Sequence, residues 1–235
     1  MGTVREHDRK ITAAATAIVS YYGGVTMEFV SAQQRVTHTL LEEISTGQLA
    51  PGEKLHEVAL ATRLEVSRNT LREAFVALQG YGVVVRLPHR GVHVTLPEIS
   101  HVDEIYQCRS LLEPAVLQWS DRLDTATLKD CVAAGRAARE AGDPHAVGDA
   151  NQRFHSAIIA SAESYYANEV MTRVLALMRL VFIRGSAERR GFHYPYIELN
   201  ATIADLAASG RRREAAEEMR SYLDRARSEV RELLS

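Results

Sequence analysis

The chain has 235 residues, of which 46% are hydrophobic and 25% are charged, and its formal net charge is −2. This composition is typical of a globular protein with a sizeable core, and the length fits one large domain or two ordinary ones. Because this net charge is close to zero, the protein is not basic overall. Any surface that binds a polyanion must therefore arise from local clustering of charge.

Residues 1–27 have the outline of a secretory signal, with a basic start and a run of small apolar residues. Thr12, Thr16 and Ser20 interrupt that run, which is also too short to span a bilayer. We predict a partly disordered N-terminal extension with no targeting role, containing one short alanine-rich helix that ends at Gly23 and Gly24.

The chain contains two cysteines, Cys108 and Cys131. Their spacing matches neither a metal site nor a disulfide framework, which indicates reduced core thiols in a cytoplasmic protein. We expect no association with a membrane.

Residues 28–96 predict three helices followed by a hairpin. A first helix ends near Gly47, a Pro-Gly turn follows, and a short second helix lies around 57–64. Ser67 is a good N-cap for the third helix. The buried face of that helix is indicated by apolar residues at helical spacing: Leu71, Ala74, Phe75 and Leu78. The β-branched runs on both sides of the turn at 88–91 predict the hairpin.

From residue 99 onward no strand signal is present, and the periodicity predicts an all-α bundle of about six helices. The first of these is predicted to begin with Ser100 as its cap and to kink at Pro114. Its predicted buried stripe comprises Ile105, Cys108, Leu112, Ala115 and Trp119. The predicted fold is therefore mainly α, with domains at 28–96 and 99–235.

The third helix of the first domain presents polar residues at its start. Because the apolar positions fix the inward face, Arg68, Asn69 and Arg72 must face away from the core. Free backbone N–H groups favour a phosphate there, and a guanidinium suits a guanine edge or a phosphate in the major groove. Between residues 58 and 95, five arginines outnumber two glutamates in a chain that is negative overall. A solvated helix face is the alternative for the arginines alone, but the order of elements favours a winged helix-turn-helix that binds DNA.

Part of the chain resembles the N-terminal domain of GntR-family transcriptional regulators, over the segment LAPGEKLHEVALATRLEVSRNTLREAFVALQGYGVVVRLPHRGVHV. The C-terminal half is similar to the FCD ligand-binding domain of the FadR-like subfamily, in the segments YQCRSLLEPAV and NQRFHSAI. The resemblance implies DNA contacts by six residues: Ser67, Arg68, Asn69, Arg72, Arg90 and Gly91. Glu65 stands where many relatives have a glycine in the turn, which implies a small cost in stability. Val58 stands where some relatives have a DNA-contacting arginine, which implies fewer phosphate contacts.

Many FCD domains hold a divalent metal through an aspartate or asparagine and three histidines. The resemblance places Asn151, His155, Asn200 and Tyr222 at these positions, of which only Asn151 and His155 match. One imidazole with two amides and a phenol is a poor set for a divalent transition ion, so we expect no metal and no other cofactor. The spacing does not place the other nearby histidines as replacements: His101, His145 and His193.

The same positions can instead line a pocket for an organic molecule. Arg109 lies four residues after Ile105, at the inward edge of the first bundle helix, and can pair with a carboxylate. The predicted effector pocket comprises Arg109, Asn151, His155, Asn200 and Tyr222. The alternative is a packed polar network in which Arg109 binds Glu113 one turn on, and the sequence leaves both open.

We predict a metabolite-responsive transcriptional repressor, not an enzyme, that binds a pseudo-palindromic double-stranded operator as a homodimer. Its effector is expected to be a small organic molecule, with carboxylates as one class. Two alternatives stay open: a metal-dependent, hydrolase-like helical domain, and a ligand sensor whose DNA head is vestigial. A missing nucleophile–base pair argues against the first, and the intact Ser67–Arg68 and Arg90–Gly91 pairs argue against the second.

Overall fold

A computed structural model describes residues 31–186 and 191–235, so the predicted extension at 1–27 lies outside the described residues. Within these ranges the chain forms nine helices and three short strands. In chain order they are α1 (Ala32–Ser45), β1 (Lys54–Leu55), α2 (Glu57–Arg63), α3 (Arg68–Gly80), β2 (Val84–Leu87), β3 (Gly91–Val94), α4 (Ile99–Trp119), α5 (Thr125–Glu140), α6 (Pro144–Ala160), α7 (Tyr165–Ser186), α8 (Tyr194–Ala208) and α9 (Arg212–Leu234). We call residues 31–96 the head and residues 99–235 the helical domain.

The head packs α1, α2 and α3 against an antiparallel sheet of order β1-β3-β2. Strands β2 and β3 form the predicted hairpin, with Val84 opposite Val94. The predicted buried face of α3 is confirmed, since its four apolar residues are each 0% exposed. Strand β1 is not predicted by the sequence, which indicates only a turn there. Two residues show no alternation, and this strand exists only through pairing with β3, where Lys54 lies opposite His93.

The helical domain is a bundle of the six helices α4 to α9 in the described residues, which confirms the mainly α fold. Helix α9 packs against α4 and α8, and α5 packs against α6 and α8. Local sequence sets the sharp junction of α5 and α6. Gly142 adopts a φ of 68°, the Asp143 side chain caps α6, and Pro144 occupies a first-turn position where it loses no hydrogen bond. None of the described helices is both long and apolar enough to cross a membrane.

Helix α4 differs from its prediction in its start and in its buried face. Glu98, not Ser100, is the cap, and the helix continues through Pro114 to Trp119. Trp119, which the sequence places on the buried stripe, is 73% exposed. The buried stripe instead comprises Val102, Ile105, Tyr106, Arg109, Glu113, Pro114 and Leu117. Of the predicted stripe, Ile105 is buried and Cys108 and Leu112 pack partly buried against the core. Arg109 and Glu113 pair with each other, so both charges can be buried.

Helix α7 contributes to the cores of both regions. Leu180 is 0% exposed among the core residues of the head, whereas Met178 and Val181 are buried in the helical domain. Arg179 on the same helix links the regions, because its Nε donates to the carbonyl of Ser45 at 2.9 Å and its Nη2 pairs with Asp149 on α6 at 2.6 Å. The head is therefore docked on the helical domain by apolar packing and by a charged side chain.

Candidate functional site

The start of α3 is shaped by a short turn after α2. Glu65 adopts a φ of 53°, in the left-handed region that favours glycine, which agrees with the glycine that the family resemblance implies for this position. The predicted cap is confirmed, because the Ser67 hydroxyl accepts a hydrogen bond from the Thr70 backbone N–H at 3.1 Å. Arg68, Asn69 and Arg72 are all exposed, as the periodicity requires.

Glu57 holds the two arginines of α3 together. The Nε of Arg68 donates to one carboxylate oxygen at 2.9 Å, and the Nε of Arg72 donates to the other at 3.1 Å. The hydrogen bond from Arg72 is the largest cause that lowers the pKa of the Glu57 carboxyl below its ordinary value. Glu57 is the first residue of α2, where a negative charge also interacts favourably with the helix dipole.

The tip of the hairpin, which we call the wing, is formed by residues 87–91. His89 and Gly91 have φ values of 60° and 89°, and the backbone N–H of Arg90 donates to the carbonyl of Leu87. A cleft of about 280 Å³ lies between the wing and the start of α2. Its polar lining is mostly cationic or titratable: Lys54, His56, Glu57, Arg86, His89 and Arg90.

The structure thus brings five of the six predicted DNA-contacting residues into one connected region of the head. Ser67 caps α3, Arg68 and Arg72 meet at Glu57, and Arg90 and Gly91 line the same cleft as Glu57. Asn69 lies exposed between the two arginines on the first turn of α3. Sequence reasoning missed Glu57 because its two partners lie on another helix, 11 and 15 residues along the chain.

A second polar cluster lies inside the helical domain. Arg109 Nε donates to Glu113 Oε1 at 2.7 Å, and His155 Nδ1 lies 2.6 Å from Glu113 Oε2. Glu113 is 0% exposed, His155 is 1% and Arg109 is 3%. The packed network that the sequence left as an alternative is therefore present, with Glu113 at its centre.

The other predicted pocket residues extend this cluster. The Tyr222 hydroxyl lies 2.9 Å from His155 Nε2 and 3.0 Å from Asn151 Oδ1. Asn200 Nδ2 donates to the same Asn151 oxygen at 2.8 Å. Helices α4, α6, α8 and α9 thus bring all five predicted pocket residues together. The Tyr222 hydroxyl carries one hydrogen, so it can donate to only one of these two atoms.

Burial and pairing decide the charges in the cluster. Burial raises the pKa of Glu113, but Arg109 and His155 outweigh burial, and the resulting pKa lies below its ordinary value. Burial lowers the pKa of His155 and raises that of Tyr222, so the imidazole is neutral and the phenol stays protonated at pH 7. Because the Glu113 carboxylate only accepts hydrogen bonds, His155 Nδ1–H donates to it and Nε2 accepts from Tyr222.

The FCD resemblance implies a divalent metal at these positions, and the donor set does not fit one. His155 is the single imidazole, and both of its nitrogens already have partners in the cluster. The oxygen of Asn151 accepts a hydrogen bond from Asn200 and lies 3.0 Å from the Tyr222 hydroxyl, which is a neutral phenol. Among the described residues, no group of three or more histidine, cysteine, aspartate and glutamate side chains is placed to hold a metal.

A small cavity of about 10 Å³ adjoins the cluster, large enough for about one water. It lies beside Arg109, Asn151 and Tyr222 and is closed by Phe182, Phe192, His193 and Tyr196. In the described part of the chain, Arg109 Nη2 and His193 Nε2 are buried and lack a hydrogen-bond partner. Sequence spacing gave no reason to place His193 here. Its ring packs edge-on between Phe182 and Phe192, and burial lowers its pKa to about 3.

Comparison with known proteins identifies both regions. The model of the family described as bacterial regulatory proteins, gntR family, matches residues 32–94, and the FCD domain model matches residues 104–225. The chain belongs to the GntR family and carries an FCD domain. This GntR-family chain is similar to an uncharacterized HTH-type transcriptional regulator in the TAR-I ttuE-ttuC' intergenic region of Agrobacterium vitis. The two sequences are 30% identical over 166 residues, and the match covers 68% of this chain and 92% of that protein.

Two further relatives support the assignment. The galactonate operon transcriptional repressor of Escherichia coli K12 is 26% identical over 177 residues, covering 64% of this chain and 75% of the repressor. A crystal structure of a GntR transcriptional regulator from Rhodococcus sp. RHA1 has a TM-score of 0.79 at 31% identity, covering 86% of this chain and 98% of that one. The prediction of a DNA-binding transcriptional regulator is confirmed.

Proposed function

We propose that this GntR-family regulator binds a pseudo-palindromic operator as a homodimer and represses transcription until a small organic effector binds the helical domain. Exposed arginines on the first two turns of α3 carry the operator part of the proposal. Arg68 and Arg72 are 60% and 51% exposed at the N-terminal end of a helix whose other face is buried. The name of the galactonate operon repressor supports repression as the outcome.

Operator contact is tested by Arg68→Ala. We expect the affinity for a duplex selected from a random pool by the wild-type protein to fall about 10- to 100-fold, since a bidentate arginine–guanine pair contributes about 1–3 kcal/mol. Arg122→Ala is the matched control, because Arg122 is an exposed, ion-paired arginine in the helical domain. Equal affinities of Arg68→Ala and wild type would refute the assignment of α3 as the reading helix.

The effector part of the proposal rests on the unpartnered atoms beside the small cavity. Arg109 Nη2 and His193 Nε2 flank a space whose other walls are mostly aromatic, and a carboxylate would satisfy the arginine nitrogen. Galactonate, which appears in the name of a relative's operon, is also a carboxylate. Because the cavity holds only about one water, binding requires Phe182, Phe192 or Tyr196 to move. Phe182 belongs to α7, so such movement would act on the helix that docks the head.

The effector class is tested by thermal shift with a panel of short-chain and sugar carboxylates. We expect at least one to raise Tm and release the selected duplex, and we expect Asn200→Ala to weaken that response. The matching alcohols are the control, since they lack the anionic group. Stabilisation by alcohols and carboxylates alike would exclude pairing of a carboxylate with Arg109.

We further propose that the effector binds without a divalent metal, because His155 already has partners on both nitrogens. Elemental analysis of protein purified without chelator or tag tests this, followed by titration with zinc and nickel. We expect no bound metal and no change in Tm. About one metal per chain with a raised Tm would overturn the metal-free proposal, and the carboxylate would then bind through the ion.

A further inference from the structure

The carboxylate of Glu57 is shared by the two arginines at the start of α3. Its carboxylate accepts hydrogen bonds from both arginines of α3, at 2.9 Å from Arg68 and 3.1 Å from Arg72. The Glu57 side chain is 24% exposed, while the two arginine side chains are 60% and 51% exposed. The carboxylate is therefore partly covered by the guanidinium groups, which stay open to solvent.

The hydrogen bonds use one edge of each guanidinium and leave the rest free. Both Arg68 and Arg72 contact Glu57 through Nε, so their Nη groups still have N–H donors available. Guanine offers two acceptors, O6 and N7, in the major groove, and a pair of arginine N–H groups matches them. An arginine that is already held in one orientation loses less conformational freedom on binding than one that moves freely.

The charge of Glu57 has a separate effect. Binding to any DNA sequence depends on attraction between cationic side chains and phosphates. Glu57 places a negative charge between the two arginines and in the cleft beside the wing, so it weakens that sequence-independent attraction. A residue that orients the base-reading groups and opposes phosphate binding raises the ratio of specific to non-specific affinity.

We propose that Glu57 is a positioning residue that sets the operator selectivity of Arg68 and Arg72. It acts through the two arginines and makes no contact with DNA itself. This inference rests on the proposed operator contact by the same arginines. Removal of Glu57 frees both side chains and unmasks their charge, so binding becomes tighter to arbitrary DNA and less selective.

The test is Glu57→Gln in the full-length protein. The probes are a duplex selected by the wild-type protein from a random pool and a scrambled duplex of the same composition. We expect the ratio of the two affinities to fall about tenfold, with weaker or equal binding to the selected duplex and tighter binding to the scrambled one. The plot of log affinity for the scrambled duplex against log salt should steepen by up to about 1, the change for one additional effective cation.

Glu73→Gln is the matched control, because Glu73 is an exposed glutamate on α3 and its replacement changes the net charge equally. We expect this control to raise both affinities together and leave their ratio unchanged. A second selection with the Glu57→Gln protein should yield a less restricted consensus at the bases read by the two arginines. An unchanged Tm would show that the folded head is retained.

The outcomes separate this inference from the operator assignment. If Arg68→Ala leaves affinity intact, the operator assignment fails first. If Arg68→Ala weakens binding while Glu57→Gln keeps the wild-type ratio and consensus, the operator assignment stands and the role of Glu57 is overturned. An equal rise in both affinities in Glu57→Gln would also overturn it, since Glu57 would then only neutralise charge.

Discussion

The head and the helical domain each contain a carboxylate that bonds to two basic side chains, with opposite exposure. Glu57 meets Arg68 and Arg72 at a surface where the arginines are more than half exposed. Glu113 meets Arg109 and His155 in a core where none of the three exceeds 3% exposure. In water such a pair is weak and can be exchanged for another partner, whereas in a core the loss of one partner leaves an uncompensated charge. Exposure therefore makes the first group suitable for binding and the second suitable for holding the fold.

The largest expected effect is a difference in the free energy of unfolding between variants of the two carboxylates. Glu113→Gln should lower the free energy of unfolding by about 3–5 kcal/mol, because it leaves the Arg109 charge buried without its counter-charge. Glu57→Gln should change it by less than about 1 kcal/mol, as is usual for exposed ion pairs. Urea unfolding followed by circular dichroism measures both. Similar losses in the two variants would show that exposure does not distinguish the clusters.

The next effect concerns the contact between the two regions. Arg179→Met should lower stability by about 1.5–3 kcal/mol, since it removes the hydrogen bond to the Ser45 carbonyl and the ion pair with Asp149. Because the bond to Ser45 joins the head to the helical domain and Asp149 orients Arg179 for it, we also expect thermal unfolding of the variant to give a broader or split transition. Differential scanning calorimetry measures this. Arg213→Met, which removes an exposed ion pair within α9, should leave the transition unchanged.

A smaller effect is the pH dependence of stability that His193 gives the helical domain. Burial lowers the pKa of His193 to about 3, below its ordinary value of 6.5. As the pH falls between these values, the unfolded chain takes up a proton that the folded state refuses, so stability decreases. His193→Phe removes this contribution and should give a shallower loss of stability on acidification. The same variant at about pH 8, where the wild-type ring is neutral in both states, reports the packing effect alone.

The smallest effect tests backbone strain in the head. Glu65 has a φ of 53°, so Glu65→Gly should raise stability by a few tenths to about 1 kcal/mol. Glu73→Gly within α3 is the opposite control, because a glycine inside a helix lowers stability by about 1 kcal/mol. Chemical denaturation of both variants would reveal the difference in sign. Loss of stability in Glu65→Gly would mean that the Glu65 side chain contributes more than its strained backbone costs.

Local rules predicted the head well because its signals are close together in the sequence. The Ser67 cap, the buried face from Leu71 to Leu78 and the hairpin turn each depend on neighbours within about one or two helical turns or one tight turn. The two-residue β1 escaped notice because it depends on a partner strand far along the chain. Glu57 escaped for the same reason, since its contacts lie 11 and 15 residues away.

The helical domain shows where such rules fail. The apolar periodicity of α4 predicts that Trp119 is buried, yet it is 73% exposed, and the buried stripe runs through the paired Arg109 and Glu113. The resemblance to FCD domains named four of the pocket positions and helical spacing added Arg109, and the structure brings all five together. Spacing indicated Glu113 only as a partner of Arg109, and it indicated neither the central position of Glu113 in the cluster nor His193 as a wall of the cavity. Both depend on packing between helices, which spacing along one chain does not encode.

The position of Leu180 matters for anyone who wishes to transplant the head. In sequence the head ends at residue 96, but in space its core includes Leu180 from α7, more than eighty residues further along the chain. A fragment that stops at residue 96 would leave an apolar depression open to water where that leucine packs. A chimera that grafts this head onto another regulator would therefore need a matching side chain on the recipient's own helix. The unit that can be exchanged between regulators is therefore the head together with the helix surface that completes its core, rather than residues 31–96 alone.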